Sequence, residues 1–253
     1  QERTSLMVDI GNMINLTWRM TTPELEAKLE TVYVPLLKGV MGHRIFIIRK
    51  GEQSKFPADL SLEELKQLII DQAEKPFRAK QVYEWLWQKQ VSTYDEMLNI
   101  PLKLRNHLKS NYSFNKVTVA DEQKSTDGTI KSAFKTYDGK VVEGVLIPTD
   151  KRITACISSQ VGCSLTCSFC GTGKLKRLRN LEASEIFDQV VAITKQADKQ
   201  FKRSLTNIVY MGMGEPLLNY KEMMRSTDLI SSKQGLNMSP KRITVSTAGI
   251  AKM

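Results

Sequence analysis

The pattern that most restricts the fold of this chain is the alternation of strand and helix signals after residue 150. Short β-rich or buried apolar runs at 153–158, 207–211 and 242–246 are separated by helical patterns at 183–200 and 220–234. Strands joined by helices of this length form right-handed βαβ units in a parallel sheet or barrel, which predicts an α/β fold. Because only three such strands are present, a barrel would be half built.

A small helical domain is predicted upstream, at residues 58–116. Ser61 followed three positions later by Glu64 is a capping-box pattern, and it begins a helix whose apolar residues recur at helical spacing. Two more helical patterns follow at 79–89 and 102–108. Residues 1–57 form an unassigned extension, with a helical pattern at 25–36 and a strand-like run at 44–49.

The pattern of residues 117–150 predicts a short antiparallel β segment between the helical domain and the α/β region. Asp127-Gly128 and Asp138-Gly139 are both typical hairpin turns, and strand-like runs flank each of them. Three short strands fit this β-hairpin linker best.

The charge of the chain is uneven. Residues 151–253 carry 16 basic and 7 acidic side chains, whereas residues 1–150 carry 21 and 20. A basic surplus in one region favours a polyanionic partner, with nucleic acid ahead of a membrane; a basic solvated surface is the alternative. No run approaches the ~18 apolar residues of a membrane span, so we expect a soluble protein.

All four cysteines, Cys156, Cys163, Cys167 and Cys170, fall within fifteen positions. A secreted disulfide framework would distribute them along the chain to close long loops. One local cluster instead predicts a metal or redox site in a reducing compartment, which makes a cytoplasmic location the expectation.

The last three cysteines have C-x3-C-x2-C spacing. Three thiolates at this spacing can hold three irons of a [4Fe–4S] cluster, which leaves the fourth iron with open coordination sites. S-adenosylmethionine (SAM) can chelate such an iron, and an electron from the cluster then cleaves it to an adenosyl radical. The alternative is a zinc site with Cys156 as the fourth ligand.

Two later strands are followed by residues suited to ligand binding. Gly212-Met-Gly214-Glu215 follows the second strand, where glycine lets a ligand approach the backbone and a carboxylate can accept hydrogen bonds from an ammonium group. Ser246 adds a hydroxyl after the third strand. An ordinary strand–helix turn and a helix N-cap are the alternatives. Four cations near the cysteines suit phosphate contacts, although a solvated loop is the commoner outcome: Lys174, Lys176, Arg177 and Arg179.

Taken together, these motifs closely resemble the radical SAM RNA methyltransferases of the RlmN type. The resemblance covers residues 60–253, and its motifs are 158–170, 212–219 and 243–249, with 143–148, 125–131 and 74–79 upstream.

The resemblance implies methylation of C2 of an adenosine in 23S ribosomal RNA and in transfer RNA, with a flavodoxin or ferredoxin as electron donor. It implies a radical SAM partial (βα) barrel whose first half is residues 151–253, and an RNA-binding type of helical domain at 58–116. It also implies roles for eight residues. Cys163, Cys167 and Cys170 would bind the cluster, Gly214, Glu215 and Ser246 would contact SAM, Glu143 would accept a proton from the methylated base, and Cys156 would form a transient disulfide.

The sequence departs from the family pattern in one respect. The family has a second cysteine near its C-terminus that carries the methyl group, and this chain has no cysteine after Cys170. We therefore expect a fragment of a longer protein that cannot complete a turnover. Two other functions stay open, namely methylation of adenosine C8 by a related enzyme and a non-catalytic RNA-binding module that holds zinc or a cluster.

Overall fold

A computed structural model of the chain describes residues 60–250, all within one compact unit, Gln53–Met253. The extension at 1–57, with its predicted helix and strand, lies outside the described residues. No helix within residues 60–250 is long and apolar enough to cross a membrane.

The helical region contains α1 (Leu62–Asp71), α2 (Phe77–Trp87) and α3 (Leu102–Asn111), with a 3-10 turn at Tyr94–Glu96. The predicted capping box is confirmed: the Glu64 amide donates to the Ser61 hydroxyl over 3.2 Å, and the Ser61 amide donates to the Glu64 carboxylate over 2.8 Å. The apolar faces of the three helices form a common core, in which six side chains are at most 2% exposed: Leu65, Ile69, Val82, Leu86, Leu104 and Leu108.

A six-stranded sheet forms the centre of the α/β region, in the order β1-β2-β3-β4-β7-β8. The strands are β1 (Thr118–Lys124), β2 (Ile130–Lys135), β3 (Val141–Pro148), β4 (Ile153–Ile157), β7 (Asn207–Tyr210) and β8 (Ile243–Val245). Strands β1 to β4 pair antiparallel, whereas β4, β7 and β8 pair parallel. Both predicted turns are present, with Gly128 and Gly139 at positive φ. The antiparallel strands therefore extend the parallel sheet.

Helices α4 (Ala183–Phe201) and α5 (Tyr220–Ser231) connect the parallel strands and pack side by side on one face of the sheet. Helix α4 contacts β3 and β4, and the Tyr210 hydroxyl of β7 lies 2.7 Å from the Ser226 hydroxyl of α5. The opposite face of the sheet, which we call the second face, carries side chains that the strand register aligns with one another: Glu143, Val145, Cys156, Val209 and Thr244.

An aromatic pair and an ion pair join the helical region to α4. The rings of Trp87 and Phe187 meet edge to face at 4.9 Å. The Lys116 ammonium lies 2.8 Å from the Asp188 carboxylate, which also accepts the Val117 amide. Burial raises the pKa of Asp188, and Lys116 opposes this shift. The charged pair therefore holds the connection between the two regions in one position.

A second, two-stranded sheet was not expected from the sequence. It pairs β5 (Gln160–Val161) with β6 (Arg179–Asn180) in antiparallel register. Residues 162–178, which we call the cysteine loop, run between these two strands and include a 3-10 turn at Thr172–Lys174. The small sheet thus fixes both ends of the loop.

Candidate functional site

Six of the eight predicted site residues follow three neighbouring parallel strands at the same edge of the sheet. The cysteine loop follows β4 and β5, Gly214 and Glu215 follow β7, and Ser246 follows β8. Carboxyl ends of parallel strands are where α/β folds bind ligands, because the connecting loops converge there. The topology therefore gathers on one rim residues that lie up to 83 positions apart (Cys163 to Ser246) in the sequence.

The three cysteines of the loop are free thiols with partial exposure. The Cys170 amide donates to the Cys167 carbonyl over 3.0 Å, and the Leu165 amide lies 3.4 Å from the Cys163 sulfur. Within residues 60–250 no three His, Cys, Asp or Glu side chains are already arranged around a common metal position. The loop presents three soft ligands but does not hold their sulfurs in a finished metal geometry.

Cys156 lies apart from these three, in the middle of the sheet. It pairs with Val145 on β3 and with Val209 on β7, and it is 9% exposed. Burial raises the pKa of its thiol. Because sheet pairing holds Cys156 on both sides, a shared zinc site would require the cysteine loop to move toward the strand.

The glycines after β7 allow two loops to pack closely. Residues 211–215, which we call the rim loop, lie against the end of β4, and the Gly212 amide donates to the Ile157 carbonyl over 3.0 Å. A Cβ on Gly212 would lie 2.7 Å from the Ser158 hydroxyl, and one on Gly214 would lie 2.5 Å from the Gln160 Cβ. Gly214 also has a φ of +97°. Contact between protein segments is thus enough to require both glycines.

Glu215 connects the rim loop to the segment after β8. Its side chain is buried, and its carboxylate accepts the Leu217 amide at 3.0 Å, the Thr247 hydroxyl at 2.7 Å and the Ala248 amide at 2.8 Å. A carboxylate has about four acceptor positions, so one position remains for a further donor. The Ser246 amide donates to the Tyr210 carbonyl over 3.3 Å, which places this partly exposed serine beside the same loop.

Ser158 joins the predicted proton acceptor on β3 to the rim loop. The buried Ser158 hydroxyl donates to the Glu143 carbonyl over 2.6 Å and accepts the Met213 amide over 2.7 Å. The Glu143 carboxylate itself is 49% exposed on the second face, and the Lys131 ammonium lies 2.6 Å from it. The structure therefore brings Glu143 to the same rim, with its carboxylate accessible and paired.

Three buried or partly buried amide side chains, which the sequence reasoning did not single out, connect the loops. We call Gln160, Asn180 and Asn219 the amide bridge. Gln160 accepts the Glu215 amide at 2.9 Å and donates to the Asn180 side chain at 2.7 Å. Asn219 donates to the carbonyls of Ser159 and Leu181, both at 2.8 Å. The available signal was the polar run at 158–160 directly after a buried strand.

Arg179 is one of the four cations for which the sequence left phosphate contacts and a solvated loop open, and in the structure it is paired with two carboxylates. Its guanidinium donates to both oxygens of Asp138 at 2.9 Å and to both oxygens of Glu185 at 2.6 and 2.7 Å. These hydrogen bonds hold the pKa of Asp138 well below its usual range. With its donors occupied by two carboxylates, Arg179 clamps the end of the cysteine loop to the β2–β3 turn and to α4. Lys174, Lys176 and Arg177 are exposed.

Two family models match the chain. Residues 58–113 match the model described as "Ribosomal RNA large subunit methyltransferase N-terminal domain", and residues 157–252 match the "Radical SAM superfamily".

Curated relatives and a solved structure agree with these matches. A "Probable dual-specificity RNA methyltransferase RlmN" from Cytophaga hutchinsonii is 56% identical over 194 residues, which cover 77% of this chain and 53% of the relative. A "Dual-specificity RNA methyltransferase RlmN" from Anaeromyxobacter sp. is 43% identical over 198 residues, covering 77% and 52%. The crystal structure of a radical SAM methyltransferase from Sphaerobacter thermophilus is 41% identical, with a TM-score of 0.68 and coverage of 76% and 56%. The predicted fold class is confirmed, and the chain spans about half the length of the relatives it matches.

Proposed function

Because residues 58–252 of this chain belong to the RlmN-type radical SAM methyltransferases, we propose that the chain is part of an enzyme that methylates C2 of adenosine in 23S ribosomal RNA and in transfer RNA. The observation that carries this proposal is the position of three unpaired thiols on the same rim as the glycine-rich rim loop. Glu143, on the second face of the sheet, adds the carboxylate that would accept a proton from the base.

The donor set fits a [4Fe–4S] cluster. Cys163, Cys167 and Cys170 are reduced, partly exposed and on one loop, and an iron–sulfur cluster takes thiolate ligands. Their loop is irregular between fixed ends, so its thiols can turn toward a common centre without disturbing the sheet. When bound together, the cluster and SAM supply the electron and the adenosyl radical that start the reaction.

The residues of this chain bind and orient the reactants. Gly214, Glu215 and Ser246 hold SAM at the rim, and the remaining acceptor position of Glu215 is available to a ligand donor. Glu143 accepts a proton from the methylated base, and the Lys131 ammonium, 2.6 Å away, holds its carboxylate in place on the second face. Cys156 forms the transient disulfide, and its burial on β4 keeps the thiol protonated until a partner reaches it.

The basic surplus is used for RNA. Lys174, Lys176 and Arg177 are exposed on the cysteine loop, so their charges face a substrate that approaches the cluster. The helical domain at 58–116 provides a second RNA contact, and residues 151–253 form the first half of the catalytic barrel. The protein acts in the cytoplasm, where a flavodoxin or ferredoxin supplies the electron.

Anaerobic reconstitution with iron and sulfide tests the site. We expect about four irons per chain and cleavage of SAM on reduction, with iron lost in Cys163→Ala, Cys167→Ala and Cys170→Ala. Cys156→Ala is the matched control and keeps its iron. Tight binding of one zinc with no uptake of iron would favour the RNA-binding module and refute the proposal.

The base that is modified is tested with the complete gene product. RNA is incubated with reconstituted protein, SAM and reductant, digested to nucleosides and analysed by mass spectrometry. 2-Methyladenosine supports the proposal, whereas 8-methyladenosine assigns the protein to the related C8 activity.

A further inference from the structure

Gln160 lies where the two halves of the candidate site meet, and both ends of its amide are used. Its side chain is 0% exposed, its oxygen accepts the Glu215 amide at 2.9 Å, and its nitrogen donates to the Asn180 side chain at 2.7 Å. Glu215 belongs to the rim loop, and Asn180 follows the end of the cysteine loop. One buried side chain therefore spans the distance between the two loops.

The rim loop packs closely on the Gln160 side chain. A single methyl group on Gly214 would lie 2.5 Å from the Gln160 Cβ and 2.7 Å from its Cγ, so the rim loop already packs on this side chain. Asn180 also donates to the Leu218 carbonyl at 3.2 Å. Breaking either end of the Gln160 amide would leave a buried polar group without a partner, which costs about 1–3 kcal/mol. The two loops therefore shift together.

Resting on the function proposed above, we propose that Gln160 is a positioning residue that couples the SAM site to the cysteine loop. A ligand that fixes the backbone at Glu215 fixes Gln160, and through Asn180 it fixes the end of the loop that carries the three thiols. Coupling of this kind is reciprocal, so order in the cysteine loop also favours binding at the rim loop. The amide bridge thus sets the two loops in register before RNA arrives.

Limited digestion with trypsin measures this coupling, because Lys174, Lys176 and Arg177 are exposed cleavage sites within the cysteine loop. The digest is run anaerobically on cluster-free and on reconstituted protein, with and without saturating SAM. We compare the wild type with Gln160→Met and with the matched control Gln189→Met. Gln189 is equally buried, donates to the Ser158 carbonyl and accepts the Ser158 amide. It therefore joins the residue after β4 to α4, and not the cysteine loop to the rim loop.

In the wild type and in Gln189→Met, we expect SAM to slow cleavage in the cysteine loop by about fivefold, a typical coupling. In Gln160→Met, SAM that is shown to be bound by equilibrium dialysis should leave the cleavage rate nearly unchanged. A merely structural role would change cleavage without SAM and would not change the SAM-dependent ratio.

Asn180→Ala removes the partly exposed partner of the Gln160 amide and so tests the same connection. It replaces Gln160→Met in the assay if that variant does not fold. Equal protection by SAM in the wild type and in these variants would overturn the coupling while leaving the proposed function intact. Failure of both cluster-free and reconstituted wild type to bind SAM would refute the proposed function itself.

Discussion

Replacing Arg179 by methionine is expected to destabilise the protein strongly. The substitution keeps much of the side-chain volume but removes the positive charge between Asp138 and Glu185. Glu185 is 1% exposed, so its carboxylate would be left buried and without its cationic partner. Its remaining hydrogen bond from the Glu182 amide, at 3.0 Å, does not replace a charge.

The size of the effect follows from this burial. Removing one partner of a buried ion pair typically costs about 3–5 kcal/mol. At about 2–4 °C per kcal/mol for a chain of this size, the melting temperature should fall by about 6–20 °C. In the double variant Arg179→Met/Glu185→Gln an uncharged amide replaces the buried carboxylate, so most of the lost stability should be recovered.

Urea unfolding followed by far-UV circular dichroism measures the free energy of unfolding of each variant. The matched control is Lys109→Met, since Lys109 pairs with Asp95 at 2.7 Å but both side chains are about 60% exposed (60% and 59%). This exposed pair should contribute nothing measurable. If Arg179→Met unfolds at the same urea concentration as the control, the argument from the buried Glu185 carboxylate is wrong.

Three further predictions concern pH, backbone and thiols. Arg179 lowers the pKa of Asp138, so the ion pair stabilises the fold at pH values above the ordinary aspartate pKa of about 3.9. This stabilisation is lost as the pH falls below that value. Urea midpoints measured against pH should therefore fall less steeply in Arg179→Met than in the wild type. Gly214→Ala should abolish SAM binding and cost about 1–3 kcal/mol from overpacking, whereas Gly171→Ala, with nothing within 4 Å, should leave dialysis and melting results unchanged. In the reduced, cluster-free chain, iodoacetamide should modify the three loop cysteines before Cys156, because burial raises the pKa of the Cys156 thiol; equal labelling rates by mass spectrometry would contradict this.

The main elements could be predicted because their signals are local. The helical period of α4 and the Asp-Gly turns around β2 lie within a few residues of the structures they specify. The small sheet of β5 and β6 could not be found in this way, since each strand has only two residues and no periodicity.

The sequence nominates candidate ligands, which stay predictions, but it does not reveal the contacts that hold their loops. Cys163, Cys167 and Cys170 lie close together in sequence, so their spacing alone favours a cluster over a zinc site. The pairing of Arg179 could not be predicted because its partner Asp138 lies 41 residues away, and a charge near the cysteines looks the same whether it is paired or free. Gln160 escaped notice for a similar reason, since its partner Glu215 is 55 residues distant.

The mixed sheet has a consequence for how the protein folds. Strands β1 to β4 meet through short turns, whereas β4 pairs with β7 across a 53-residue separation from Thr154 to Asn207. Closing a long loop costs more chain entropy, so contacts close in sequence form faster. We expect the antiparallel strands to form the nucleus on which β7 and then β8 assemble. The side of the rim that follows β4 should therefore form first. The cysteine loop is then held in place before β7 pairs with β4 and brings in the rim loop.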